Sequence, residues 1–266
     1  NAYKIRGAYN WFAVQAETKS LGHVVAASAG NHSSAVAYCA QAFDRKCTIF
    51  MPTDTPEIKI QKTRLLGKHT VEVVLHGATV SESLVTALTC ADNSRSAFIH
   101  PFDDPLVVAG QGTLGLEIAD ILPESPAAVF CPVGGGGLLS GVKIALDEIY
   151  PEVQYIAAEP SGAASLTACK NAGTPIELNA VDGFVDGASV SRVGNIASRV
   201  LSDESVRTDT PTNVETRSSL EELWELGYKV ERAAALSLAA LKRQHMQWQD
   251  KPVVLILSGG NYAKSS

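Results

Sequence analysis

Gly134, Gly135, Gly136 and Gly137 stand in a row between the apolar run 127–131 and the helically spaced stretch 142–149. Glycine has no Cβ, so the backbone can turn its N–H groups toward an anion and let it come close. A helix start adds N–H donors with no partner in the helix, together with a partial positive charge. A glycine turn between strand and helix therefore reads as a phosphate cradle. The plain alternative is a flexible turn, but four glycines are costly to order. Two further turns carry polar groups: Ser28-Ala29-Gly30-Asn31-His32 and Ser258-Gly259-Gly260-Asn261. In open parallel α/β sheets ligands bind at the carboxyl ends of strands, so the three turns are expected to meet in one site. That site would offer an anion cradle, a side-chain amide and a hydroxyl. No Gly-Lys-Ser/Thr loop is present, which argues against a nucleoside triphosphate. The dinucleotide fingerprint also fails, because its third glycine falls on Leu139 counted from Gly134 and on Ser140 counted from Gly135. Glu159 stands about where a ribose-binding acid would, and this keeps a nucleotide-binding reading open.

These turns need strands and helices to hold them. Strands are expected at 23–28, 47–51, 71–75, 97–99, 127–131, 154–158 and 253–257. Helices are expected at 33–43, 57–66, 81–91, 110–122, 142–149, 163–172, 191–201, 217–228 and 233–245. The alternation argues for a mainly parallel α/β fold, and the continuous apolar strands suit burial on both faces. The first ten residues carry no capping signal and no helix is assigned to them; Lys4-Ile5-Arg6 is considered as a strand. Arg6 would then share a face with Lys4. The 266 residues are 45% hydrophobic and 19% charged, an ordinary globular balance. The net charge of −6, without a basic block, argues against a nucleic-acid surface. No apolar run approaches the ~20 residues of a membrane helix, and no signal peptide opens the chain. The five cysteines are far apart and form no Cys-x-x-Cys pair, so zinc is poorly supported. Buried free thiols in a reducing cytoplasm are expected.

Four motifs occur in order: Tyr3-Lys4-Ile5-Arg6-Gly7-Ala8, Ser28-Ala29-Gly30-Asn31-His32, Gly134-Gly135-Gly136-Gly137-Leu138 and Ser258-Gly259-Gly260-Asn261. His100-Pro101-Phe102-Asp103-Asp104 lies among them. With these the chain resembles the threonine dehydratase branch of the β-family, fold-type II, of pyridoxal-phosphate enzymes, over nearly its whole length. The resemblance implies two mainly parallel α/β/α domains with the cofactor between them. The large domain would be 1–25 with 104–266, and the small domain 26–103. It implies pyridoxal 5′-phosphate, with Lys4 forming the Schiff base and then acting as general base. Asn31 would bond the 3′-oxygen of the ring, Ser258 would face the ring nitrogen, and Tyr3 would lie beside the ring. Gly134, Gly135, Gly136 and Gly137, with Leu138, would hold the phosphate. Ser28, Ala29, Asn31 and His32 would line the place of the substrate carboxylate. A neutral serine at the ring nitrogen makes the ring a weaker electron sink, which suits β-elimination. The implied reaction converts L-threonine, and L-serine with it, to a 2-oxo acid and ammonia, in amino-acid metabolism and isoleucine biosynthesis. Relatives are homodimers or homotetramers.

The match has departures. The family has about fifty residues before the lysine that this chain lacks, including a strand of the large domain. Its Glu-Pro-Ala/Ser-Gly loop is replaced at Val230-Glu231-Arg232-Ala233, where Arg232 follows Glu231 directly. No regulatory domain is read after Asn261, so feedback control by an amino acid is not part of the expectation. Ala29 stands where serine racemases carry a hydroxyl, which disfavours racemisation. Glu159 and Ala163 match part of a cation site seen in relatives, but Ser165 replaces an aspartate, so a monovalent cation is a candidate and a divalent one is not. The plain reading of Glu159 is a solvated strand end. His32 alternatively caps a helix, and His100 and Asp103 alternatively shape a loop. The competing readings are a cofactor- or anion-binding module without catalysis, a related serine racemase or dehydratase, and a nucleotide-binding oxidoreductase.

Overall fold

The computed structural model describes residues 2–18 and 22–261, so Asn1 of the opening stretch lies outside the described residues. The chain forms two compact units, residues 4–110 and residues 1–3 with 111–266. These boundaries differ from those expected at 25 and 103. The reason at the first boundary is helix α1 (Lys4–Thr18), whose Ala8, Trp11 and Phe12 pack in one core with Val24, Ala26 and Val36.

The unit of 4–110 continues with β1 (Val24–Ala27), α2 (Asn31–Ala42), β2 (Cys47–Met51), α3 (Glu57–Gly67), β3 (Val71–Leu75), α4 (Val80–Ser94) and β4 (Ala97–Phe98). The strands pair in parallel in the order β3-β2-β1-β4. Helix α5 (Pro105–Ile121) begins here and runs across the boundary. Asp104 caps it, its Oδ1 accepting the N–H groups of Leu106 (2.8 Å) and Val107 (3.2 Å) while Oδ2 accepts Trp11 Nε1 (3.2 Å). Pro105 at the first helical position loses no intrahelical bond.

The other unit contains β5 (Ala128–Pro132), α6 (Gly137–Asp147), β6 (Gln154–Ala158), α7 (Ser165–Ala172), α8 (Asn195–Val200), β7 (Val206–Asp209), α9 (Asn213–Glu225), α10 (Arg232–Arg243), α11 (His245–Trp248) and β8 (Val253–Leu255). Its strands are also parallel, in the order β7-β6-β5-β8. β5 is apolar and buried throughout, and β6 is so from Tyr155 onward, as expected of central parallel strands. Ala2 pairs with Gly259 in an isolated antiparallel bridge, and Tyr3 N–H donates to Ser258 O at 3.0 Å.

Sequence expectations change in several places, including the starts of α5, α8 and α9. Lys4 to Arg6 is helical, not extended, because Ile5, Ala8, Trp11 and Phe12 recur at helical spacing toward a core. Helix α6 starts at Gly137 instead of 142, because Leu138, Leu139, Val142 and Leu146 make one buried face. Strand β7 was not expected; it is a short edge strand in which only the end residues, Val206 and Asp209, are buried.

Candidate functional site

In the unit of 4–110 the strand ends and helix starts gather several of the expected residues. Lys4 opens α1, and its Nζ donates to Pro101 O at 2.6 Å and stands 5.9 Å from the centre of the Phe102 ring. Arg6, two positions on, is about 200° around the helix and so does not share the face of Lys4. Just after β1, Ser28 Oγ accepts the Gly30 N–H (3.1 Å), and Ser33 Oγ donates to Gly30 O (2.7 Å). These bonds shape the turn that launches α2 at Asn31. The helix has no side-chain cap, so its first N–H groups are placed to receive an anion.

His32 is buried, with Nε2 3.3 Å from Ile99 O. It sits inside α2 and is not its cap. Burial and the nearby Lys4 charge push its pKa down to about 3. His100 accepts the N–H groups of Phe102 (3.3 Å) and Asp103 (2.8 Å) on Nδ1, and the Phe102 ring meets it edge-on at 4.7 Å. Burial, opposed by Asp103 and aided by Lys4, holds its pKa down at about 4. So His100 shapes a loop, and the carbonyl of that loop receives Lys4. Both histidines are neutral, which leaves Lys4 as the cationic group of the trio.

A pH effect follows from these two histidines. In the unfolded chain each takes a proton below its ordinary 6.5, whereas folded His100 does so only near 4 and His32 near 3. Between those limits the unfolded state binds more protons, so stability falls as pH drops below 6.5. Each histidine steepens the fall by about 1.4 kcal/mol per pH unit within its window. Chemical denaturation at pH 7, 6 and 5 checks this. His100→Asn, which keeps a side-chain acceptor that does not titrate, is expected to give a shallower slope than the parent.

In the other unit β5 runs into the glycine turn. Gly136 adopts φ +84°, the left-handed region that favours glycine, and serves as N-cap of α6. Its carbonyl accepts both the N–H (3.0 Å) and the Oγ (2.9 Å) of buried Ser140. A Cβ on Gly136 would lie 2.4 Å from Ala197 Cβ, and one on Gly134 would lie 2.9 Å from Ala188 O. Gly194 N–H donates to Gly135 O at 3.1 Å. The turn is thus a bare-backbone cradle at a helix N-terminus, held from outside by residues 188–197, and it fits a phosphate group. Leu138 is buried in the core beneath it. Tyr3 packs against the same core; burial first, then Cys131 and Glu231, raises its hydroxyl pKa above the usual tyrosine range. Ser258 is buried, and Gly259 O accepts the Glu231 N–H at 3.0 Å.

Glu159 is fully buried and not solvated. Its carboxylate accepts Leu166 N–H (2.6 Å), Thr167 N–H (2.8 Å) and Thr167 Oγ1 (2.6 Å), so it caps the start of α7. Burial raises its pKa against these bonds. Ala163 and Ser165 are buried nearby in sequence. Among the described residues no group of three or more His, Cys, Asp or Glu is placed to hold a metal ion. All five cysteines are free, and Cys90 alone is only half-buried.

The family model for pyridoxal-phosphate dependent enzymes matches residues 1–259. The chain belongs to this family. It is 40% identical over 263 residues to the protein of Bacillus subtilis (strain 168) named L-threonine dehydratase biosynthetic IlvA, covering 98% of this chain and 62% of that one. The chain therefore spans less than two thirds of the length of that relative. Among solved structures, the processed form of threonine deaminase isoform 2 from Solanum lycopersicum superposes with a TM-score of 0.89 at 35% identity, covering 99% of this chain and 76% of that one. The T.th. threonine deaminase crystal structure gives 0.89 at 33%, covering 100% and 85%. The two-sheet parallel α/β fold is that of these fold-type II structures.

Sequence reasoning missed residues 187–197, which hold the glycine turn. Their small types, Gly187, Ala188 and Ala197, permit close approach but carry no motif of their own. Among the described residues no helix is long and apolar enough to cross a membrane.

Proposed function

We propose that this protein is a cytoplasmic pyridoxal-phosphate-dependent threonine dehydratase that converts L-threonine, and L-serine with it, to a 2-oxo acid and ammonia. The observation that carries the reading is the Lys4 amine, held at the Pro101 carbonyl beside two histidines kept neutral. The named activity of the Bacillus subtilis relative supports the choice of threonine, and its description as biosynthetic supports a place in isoleucine formation. Pyridoxal phosphate, when bound, supplies an aldehyde that joins an amine and a ring that acidifies the neighbouring C–H.

The chain's own residues do the rest. Lys4 would hold the cofactor through its amine and would serve as the base for the Cα proton. The Pro101 carbonyl then accepts a hydrogen bond from the charged Lys4 ammonium, as it does here. In the same unit, Ser28, Ala29 and the α2 N-terminus hold the substrate carboxylate. Asn31 would bond the ring oxygen, and His32, neutral and buried, adds no competing charge. In the other unit, Gly134 to Gly137 and the α6 N-terminus hold the phosphate, with Leu138 as their floor. Ser258 would face the ring nitrogen, with Tyr3 beside the ring. The β-hydroxyl departs as water, and a water is taken up as ammonia leaves. Ala29 offers no proton for a second face, which favours elimination over racemisation. For a monovalent cation the geometry is unfavourable at Glu159, whose oxygens already accept three bonds from α7. A homodimer or homotetramer is part of the proposal by family likeness.

The test is spectroscopic and chemical. The full-length protein with cofactor is expected to absorb at about 410–420 nm, and borohydride is expected to bleach that band and fix the cofactor mass on Lys4. Threonine and serine should both yield a 2-oxo acid, with kcat/KM values within about 200-fold, since they differ by one methyl group. A yellow protein that makes no 2-oxo acid from either would leave only a binding module.

A further inference from the structure

Residues 182–194 run as a strap against the glycine turn. Ala188 O and Cα stand 2.9 and 3.0 Å from the place of a Gly134 Cβ, and Val190 Cγ2 stands 3.0 Å from it. Gly194 N–H donates to Gly135 O at 3.1 Å. The position of one wall of the cradle is therefore the position of this strap.

Two anchors hold the strap. At its start Asp182 N–H donates to Gly162 O (2.9 Å), Asp182 Oδ1 accepts Phe184 N–H (2.8 Å) and Oδ2 accepts Asn213 Nδ2 (2.6 Å). Ser189 Oγ donates back to Asp182 O at 2.7 Å. Further along, Arg232 makes two separate contacts with one residue. Its Nη1 donates to Phe184 O at 3.1 Å, and its guanidinium lies 4.7 Å from the centre of the Phe184 ring. Arg217 approaches the same ring at 5.2 Å. The next residue of α10, Ala233, would meet a Cβ on Gly187 at 3.0 Å. Phe184 also packs with Val185, Ala188, Ala233 and Leu236. A pull on Phe184 is thus passed to Ala188, and from Ala188 to Gly134.

We propose that Arg232 is a positioning residue: by holding Phe184 through its carbonyl and its ring, it seats the strap on Gly134 and Gly135 and so sets the fit of the cradle to a phosphate monoester. This rests on the reading of the glycine turn as the cofactor's phosphate site. Arg232 acts through its contacts with Phe184. A planar guanidinium suits a contact that is at once a hydrogen bond and a stack, whereas a lysine keeps the charge and a donor but not the planar fork that makes both at once.

The experiment uses the full-length protein freed of cofactor. Binding of pyridoxal 5′-phosphate, of inorganic phosphate and of pyridoxal is titrated for the parent, Arg232→Ala, Arg232→Lys and Phe184→Leu. Thermal unfolding is recorded for each without cofactor. Arg232→Ala is expected to weaken pyridoxal phosphate and inorganic phosphate by the same factor, about three- to tenfold, and to leave pyridoxal unchanged. Arg232→Lys is expected to regain only part of that loss. Unchanged affinity for both phosphate ligands in Arg232→Ala overturns the proposal, as does a loss seen equally with pyridoxal. If Arg232→Ala does not fold, Phe184→Leu decides, because it keeps the carbonyl bond and the apolar packing but loses the ring. A smaller loss confined to the phosphate ligands supports the proposal, and no loss overturns it. A parent protein that binds none of the three overturns the cofactor reading itself, and this inference with it.

Discussion

Lys4→Ala is expected to lower kcat/KM for threonine by about ten-thousand-fold, because in the proposed function the same amine would carry the cofactor and move the Cα proton. The folded chain should tolerate the change. The side chain is half-buried at the first position of α1, and truncation removes its hydrogen bond to Pro101 O. That bond is worth about 1–3 kcal/mol when the donor is charged, well short of the stability of an ordinary domain. Lys4→Arg separates the two roles. An arginine keeps a charged donor near the carbonyl, but its guanidinium neither gives up its proton at neutral pH nor joins an aldehyde as an amine does. The expected result is near-parent stability with the same catalytic loss. Steady-state rates of 2-oxo acid formation, with melting curves beside them, check both variants. Turnover that survives in either one would place the chemistry elsewhere in the chain.

The legible parts of this sequence are those where one local signal had no competitor. Cys47–Met51, Val71–Leu75 and Gln154–Ala158 are continuous β-rich runs, and the structure gives them those same bounds. Lys4 to Arg6 misled because three residues that alternate in character are too few to show a period of 3.6. The signal for α1 lies further on, in Ala8, Trp11 and Phe12. Val206–Asp209 was missed because an edge strand needs only half of its residues buried. The turn 134–137 was legible as a glycine turn into a helix N-terminus because glycine runs are rare and conformationally costly. What grips that turn was not, because contact between Gly134 and Ala188, or between Gly136 and Ala197, follows from tertiary packing and leaves no pattern in the chain. Glu159 shows the same limit. A carboxylate at a strand end reads as solvated or ligating, and only the fold reveals that Leu166 and Thr167 consume its oxygens.

Gly136→Ala is expected to destabilise the fold by about 2–5 kcal/mol and to weaken cofactor binding more than tenfold. Two costs add. The left-handed φ of +84° disfavours any residue with a Cβ, by about 1–2 kcal/mol. The new Cβ would also lie 2.4 Å from Ala197 Cβ, and neither atom can rotate away, so the turn or α8 must move; overpacking of this kind costs about 1–3 kcal/mol. Gly227 isolates the first cost. It has φ +91° and nothing within 4 Å of a Cβ, so Gly227→Ala should lose only the strain energy and leave cofactor binding intact. The second cost should be reversible. In Gly136→Ala combined with Ala197→Gly the clash is gone and the strain remains, although α8 gives up about 1 kcal/mol of helix propensity. Cofactor affinity, which depends on where the N–H groups of the turn point, is therefore expected to recover in the double variant further than stability does. Equilibrium unfolding and cofactor titration on the four proteins measure the two quantities separately. If affinity stayed as low in the double variant as in Gly136→Ala, the position of the turn against α8 would not be what shapes the cradle, and the left-handed glycine alone would account for the loss.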